Sequence, residues 1–368
     1  MKNTFGTSVS LTVFGESHGP FIGAVLDGLA PGIEVNEDDI RHALTLRRPA
    51  GRISTARQEK DEYTIASGVF EGKTTGTPIS IIIPNADTRS KDYKKTYGLA
   101  RPGHADFSAY CKYHGYEDFR GGGHFSGRVT SALVAAGAIA RAALAKKGIY
   151  LGTHIKELAG VPDRAWGDYK SDIDDLYTKV FPVLDADAEA SMRTEIEKAA
   201  AEGDSVGGLL ETVVIGMPAG VGEPYFDSLE SVIAHMMFSV PGVKGVLFGA
   251  GMGFATMRGS EANDAFRIDE SGKVYTVTNN NGGVNGGITN GNPIAFTTVI
   301  KPTPSIYKKQ ETIDFVNNEE KDISIEGRHD PCIAHRARIV VDSLTAVALC
   351  DMLAGRYGTD WINADTKE

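Results

Sequence analysis

Short runs in which apolar and polar residues alternate dominate the first quarter of the chain: SVSLTVFG (8–15), FIGAVLDG (21–28), YTIASGVFEG (63–72) and PISIIIPN (78–85), each closed by glycine or Pro/Asn. A period of two puts every second side chain on one face, so these runs predict strands of a sheet. Between them, Asn36 ahead of Glu37, Asp38 and Asp39 marks a helix start, and the helix must stop before Pro49. That helix end delivers Arg47 and Arg48 together. From Ser131 to Lys147 the chain is alanine-rich and apolar on nearly every face, with Gly148 as a stop. Such a pattern predicts an interior helix whose N-terminus meets the RGGG segment.

A second helical run, Asp187 to Glu202, is polar and predicted to be peripheral. Further strands are expected at LLETVVIG (209–216), VLFGAGMGFATM (246–257), KVYTVT (273–278) and PIAFTTVI (293–300). Asp227 with Glu230 reads as a capping box opening a helix toward Phe238. ARIVVD (337–342) reads as a last strand feeding a helix from Ser343 to about Gly355. With no repeat, low-complexity tract or linker, the expectation is one continuous domain, 1–368.

Composition narrows the function classes. The net charge of −10 argues against nonspecific binding to nucleic acid or anionic membranes, which needs a basic surface. Twelve acidic and five basic side chains lie between Asp163 and Asp204, so residues 161–205 form an acidic, more peripheral segment. No apolar run approaches the roughly 18 residues of a membrane span, and MKNTFGTSVS lacks a signal pattern, so a cytoplasmic location is expected. Three cysteines at long separations suit neither a disulfide framework nor a CxxC metal site. The 43 glycines exceed the usual share of about 7%.

Those glycines gather where chemistry-bearing residues do. GESHG (15–19) sets Ser17 and His18 on a turn at a strand end, which suits either a reactive histidine or an ordinary glycine turn. RPGHAD (101–106) forces Arg101, His104 and Asp106 together, able to hold an anion and move a proton, or to form a salt-bridged turn. In RGGGHFSGR (120–128), glycines open the backbone ahead of the interior helix, Ser126 suits its N-cap, and Arg120, His124 and Arg128 add donors. This arrangement suits an anion; the alternative is a hinge. The Gly/Asn-rich stretch 279–291 suits a disordered loop or a close-fitting backbone cradle, KPTPS (301–305) suits a phosphate, and GRHDPC (327–332) sets Arg328 beside Asp330. His42, His114, His154 and His235 lack such company and read as surface or satisfied core groups, with His335 unassigned. No metal-ligand spacing occurs.

Taken in order, FGESHG, RPGHAD, RGGG with FSGR, RGSEAND (258–264), NGGVNGG, KPTPS and GRHDPC resemble chorismate synthase from about residue 6 to 355. The resemblance implies an α+β, single-domain four-layer β-α-α-β sandwich, with a helical core between two mainly antiparallel sheets, and a homotetramer. It implies a lyase eliminating phosphate and a ring proton from 5-enolpyruvylshikimate 3-phosphate with reduced FMN, the last common step of aromatic amino acid biosynthesis. NADPH would enter only as a reductant, with Arg47 and Arg52 as its contacts.

By the same resemblance, His18 protonates the departing phosphate, His104 serves the reduced flavin, and Asp330 helps remove the ring proton, with Ser17 and Ser126 in support. Arg47, Arg48, Arg52, Arg128 and Arg328 would capture the anionic groups. His124, Phe125, Ser126, Pro241, Gly242, Gly286, Lys301, Pro302, Thr303, Pro304, Ser305 and Arg328 would contact FMN. The chain reads HFSGRVT (124–130) where many members read RSSARET, so His124, Phe125 and Val129 depart from the pattern, as does His335. A metal-independent phosphate-ester hydrolase using His18 and His104, and a noncatalytic anion-binding module, are the alternatives the residues admit.

Overall fold

The computed structural model describes residues 2–49, 51–54, 60–86, 97–325 and 329–362, apart from the Arg52 side chain. Two five-stranded sheets organise it. The first contains β1 (Thr4–Phe5), β2 (Ser10–Gly15), β3 (Phe21–Asp27), β4 (Thr64–Ser67) and β5 (Ile79–Pro84), in the order β1-β2-β3-β5-β4. The second contains β6 (Tyr150–Leu158), β7 (Val161–Pro162), β8 (Gly208–Ile215), β9 (Val243–Phe248) and β10 (Ile294–Ile300), in the order β9-β10-β8-β6-β7. Every pairing within both sheets is antiparallel.

The helices of eight residues or more are α1 (Glu37–Arg47), α2 (Asp106–Tyr113), α3 (Thr130–Lys146), α4 (Tyr169–Thr178), α5 (Ala186–Ala201), α6 (Leu229–Met237) and α7 (Ala334–Tyr357). Helix α3 packs on β3 and β5, α7 packs on β6 and β8, and the two helices pack on each other. Their crossing is close because Gly137 of α3 lies against Ser343 of α7: a Cβ there would sit 2.2 Å from the serine Cβ. The opposite face of the second sheet carries α4, where Gly152 meets Ile173, while its neighbour Thr153 donates to Asp342 of α7 at 2.6 Å. Period-two alternation along β6 thus faces one side chain to each helix.

Most local expectations hold. Asn36 caps α1 by accepting from the Asp38 amide, and Arg48 ends it. Gly148 lies just past α3 in the left-handed region. Three differ. The α6 cap is Ser228, which accepts from the Ser231 amide, and Asp227 instead closes a 3-10 turn, so the proposed Asp227–Glu230 box does not form. Of 246–257, only the start is strand; Gly249 and Gly251 take positive φ and a 3-10 turn follows.

ARIVVD is not a strand but part of the 24-residue helix α7. Ile339, Val340 and Val341 are buried, and burying each such side chain contributes roughly 1.5–3 kcal/mol. That far exceeds the helix-propensity penalty of β-branched residues, at most about 0.7 kcal/mol each. Nor is the chain short of membrane-length apolar helix: Gly127–Lys146 qualifies by length and composition, but is 72% buried as a core element.

Candidate active site

At the end of β2 the chain turns through Ser17 and His18, and Asn85 pins this turn by donating to the Glu16 and Gly19 carbonyls at 2.9 Å. The glycine segment zips onto it. The Ser17 amide donates to the Gly123 carbonyl at 3.0 Å, and His124 Nδ1 donates to the Gly15 carbonyl at 2.8 Å. A carbonyl only accepts, so His124 carries its proton on Nδ1.

The glycines have a packing task that sequence reading did not foresee. Gly121 (φ +59°) faces His18, where a Cβ would lie 2.5 Å from the ring Cδ2. Gly122 (φ +82°) faces His104, where a Cβ would lie 3.3 Å from Cε1 and 3.4 Å from Nε2. Two histidines therefore flank one glycine ribbon, and the Gly122 amide is already bonded to the Phe119 carbonyl.

His104 sits in the predicted triad. Its Nδ1 lies 2.9 Å from both the Asp106 carboxylate and the Arg101 guanidinium, which itself bonds Asp106 at 2.7 Å. One tautomer donates to Asp106 and the other accepts from Arg101, so Nε2 can be presented as acceptor or donor. Burial opposes the charge on Asp106, but hydrogen bonds from Arg101 and His104 outweigh it and hold the carboxyl well below the ordinary carboxylate range.

Beside this triad opens a cavity of about 690 Å³, ample for a small-molecule ligand. Two long helices aim their N-termini at it. Ser126, whose Oγ caps the turn leading into α3, lines it with Gly127 to Thr130, and Ile333, Arg336 and Ala337 bring the start of α7. Helix N-termini carry partial positive charge. Among the described residues the wall holds six cationic side chains, Arg47, Arg48, Arg128, Lys244, Lys301 and Arg336, against two carboxylates, Asp61 and Asp330. In a chain of net charge −10, that local excess marks an anion site.

Asp61 organises the arginines. Its fully buried carboxylate pairs with Arg128, with Arg47 at 3.3 Å and with Arg48 at 3.8 Å. Burial opposes its charge, but Arg47 and Arg128 hold its carboxyl below the usual range. Burial in turn lowers Arg47 to about 10, partly offset by Asp61, so Arg47 stays cationic at neutral pH. Lys301, which donates to the Gly103 carbonyl at 2.5 Å, is lowered by burial and by nearby Lys244.

Of the predicted site residues, His104, His124, Phe125, Ser126, Arg47, Arg48, Arg128, Pro241, Gly242, Lys301, Pro302, Pro304 and Asp330 line the cavity. Ser17 and His18 lie behind Gly121 rather than on the wall. Thr303 and Ser305 are off the wall, as is Gly286, whose loop abuts the start of α6 through the Leu229 amide and Gly287 carbonyl. Arg328 and the Arg52 side chain lie outside the described residues. Asp61, Lys244 and Arg336 were missed: their partners are far along the chain or depend on where α7 begins.

The family model for chorismate synthase matches residues 9–354. The chain belongs to the chorismate synthase family. A chorismate synthase of Chitinophaga pinensis is 46% identical over 95% of this chain and 96% of its own length. One from Thermococcus gammatolerans is 44% identical over 95% and 97%. A crystal structure of chorismate synthase superposes with a TM-score of 0.77 at 26% identity, covering 97% of this chain and 96% of that one. As a chorismate synthase, the chain is a lyase of aromatic amino acid biosynthesis acting on the small molecule 5-enolpyruvylshikimate 3-phosphate. The substrate bears two carboxylates and a phosphate, which suits the cationic wall.

Proposed function

We propose that the cavity beside His104 is where 5-enolpyruvylshikimate 3-phosphate loses phosphate, with reduced FMN bound alongside. The observation that carries this reading is the convergence of six cationic side chains, two helix N-termini, His104 and Asp330 on one cavity. The residues suit a flavin: Phe125 and Pro241 offer flat apolar surface, and Lys244 and Lys301 offer charge for a phosphate. Reduced FMN, when bound, lends electron density transiently to a reaction with no net redox change.

In this reading Arg47, Arg48 and Arg128, with Arg52 and Arg328, orient the substrate's anionic groups. His104 holds or moves a proton at Nε2, because Asp106 and Arg101 support either tautomer at Nδ1. Asp330 helps remove the ring proton. His18, behind the Gly121 ribbon, supplies the proton for the departing phosphate, with Ser17 and Ser126 supporting the two histidines. Positioning and charge complementarity carry most of the catalysis.

The same reading includes a four-layer β-α-α-β arrangement, supported by the packing of α3 and α7 between the sheets, as well as a homotetramer and a cytoplasmic location. Adding 5-enolpyruvylshikimate 3-phosphate anaerobically to the protein with reduced FMN should change the flavin absorption spectrum. An unchanged spectrum while substrate turns over would place the flavin outside this site.

A further inference from the structure

We infer that Arg336 is a positioning residue that fixes Asp330 against the arginine-bearing end of α1. This rests on the role proposed above for Asp330. Arg336 stands in the first turn of α7 and points at the cavity wall. Its Nη1 donates to Asp330 Oδ2 at 2.6 Å, and its Nε donates to the Arg47 backbone carbonyl at 2.9 Å.

One planar guanidinium thus spans the two halves of the chain, holding the Asp330 carboxylate at a set distance from the Arg47–Asp61–Arg128 cluster. The rigid fork of arginine suits this, because its donors leave in fixed directions, whereas a lysine ammonium offers a single point charge. Both Arg336 and Asp330 are mostly buried, with side chains 17% and 14% exposed, so water replaces the link poorly. A group that assists proton removal, displaced by about 1 Å, loses on the order of 100-fold in rate, while the five other cationic side chains of the wall still hold the anion.

The test is Arg336→Ala beside Arg336→Lys and wild type, all checked for folding by thermal melting. Chorismate formation is assayed anaerobically with reduced FMN, and binding of oxidised FMN is followed by flavin fluorescence. The expected result is a kcat lowered by roughly 100-fold in Arg336→Ala, with KM and FMN binding within about threefold. Added ethylguanidinium, but not sodium chloride at the same concentration, should restore part of kcat. Arg336→Lys should lose at least about 10-fold, since a point charge cannot hold both partners.

A kcat within about threefold of wild type in Arg336→Lys overturns the inference, even if Arg336→Ala does not fold. So does a folded Arg336→Ala in which KM and FMN binding worsen as much as kcat, without rescue, because that is a general structural role. Wild type failing to form chorismate would instead count against the proposed function itself.

Discussion

Two histidines bind an aspartate through Nδ1, in very different settings. His104 leaves its Nε2 edge at the glycine ribbon and lines the cavity, with Arg101 as a second partner for Nδ1. His154 is buried on β6, with Nδ1 at 2.7 Å from Asp163 and Nε2 at 3.2 Å from Glu211, under the edge of Trp166. The same side-chain pair therefore does two jobs. One ring leaves Nε2 beside the cavity, where we propose it transfers a proton; the other has both nitrogens committed and clips the acidic segment to the second sheet.

Substitutions should separate the two. His104→Ala is expected to lower kcat by roughly 100-fold with little change in melting temperature, since the residue carries little core packing. A loss under about 10-fold would remove His104 from the mechanism. Asp106→Asn should lower kcat by about 10-fold, because the ring loses its anionic partner while Arg101 still holds Nδ1.

His154→Ala should leave kcat within about twofold but reduce unfolding free energy by about 3 kcal/mol, the low end for breaking a buried ion pair. Asp163 keeps the Leu184 and Asp185 amides, which limits the loss. Denaturant titration measures it, and a kcat loss larger than that of Asp106→Asn would erase the distinction between the clusters.

The smallest effect is in pH dependence. Burial lowers the His154 pKa, but the hydrogen bonds it donates to Asp163 and Glu211 outweigh it and leave it raised above 6.5. Its contribution is then complete below 6.5 and lost as pH rises through the folded value. Glu211, held down to about 2, contributes above 4.5 and loses that contribution as pH falls toward 2. The stability difference between wild type and His154→Ala should therefore shrink as pH rises from 6.5; a difference that grows would reverse the assigned sign.

How much of this was legible follows from sequence distance. Arg101, His104 and Asp106 lie within six residues that include Pro102 and Gly103, so their meeting could be read directly, as could β2, β3 and β5 from their alternation. Asp61 meets Arg128 across 67 residues, which only the tertiary fold brings about. Arg336 was hidden by a local error. Ile339, Val340 and Val341 favour a strand, and a segment buried on all sides has no polar face to reveal its period. Starting the helix at Ser343 removed Arg336 from the first turn, where it borders the site.

The most direct measurement is anaerobic conversion of 5-enolpyruvylshikimate 3-phosphate, following chorismate and phosphate with and without reduced FMN. The predicted result is that both products form together, in equal amounts, and only when reduced FMN is present. Phosphate release at full rate without flavin would contradict it, and would leave a metal-independent phosphate-ester hydrolase working through His18 and His104.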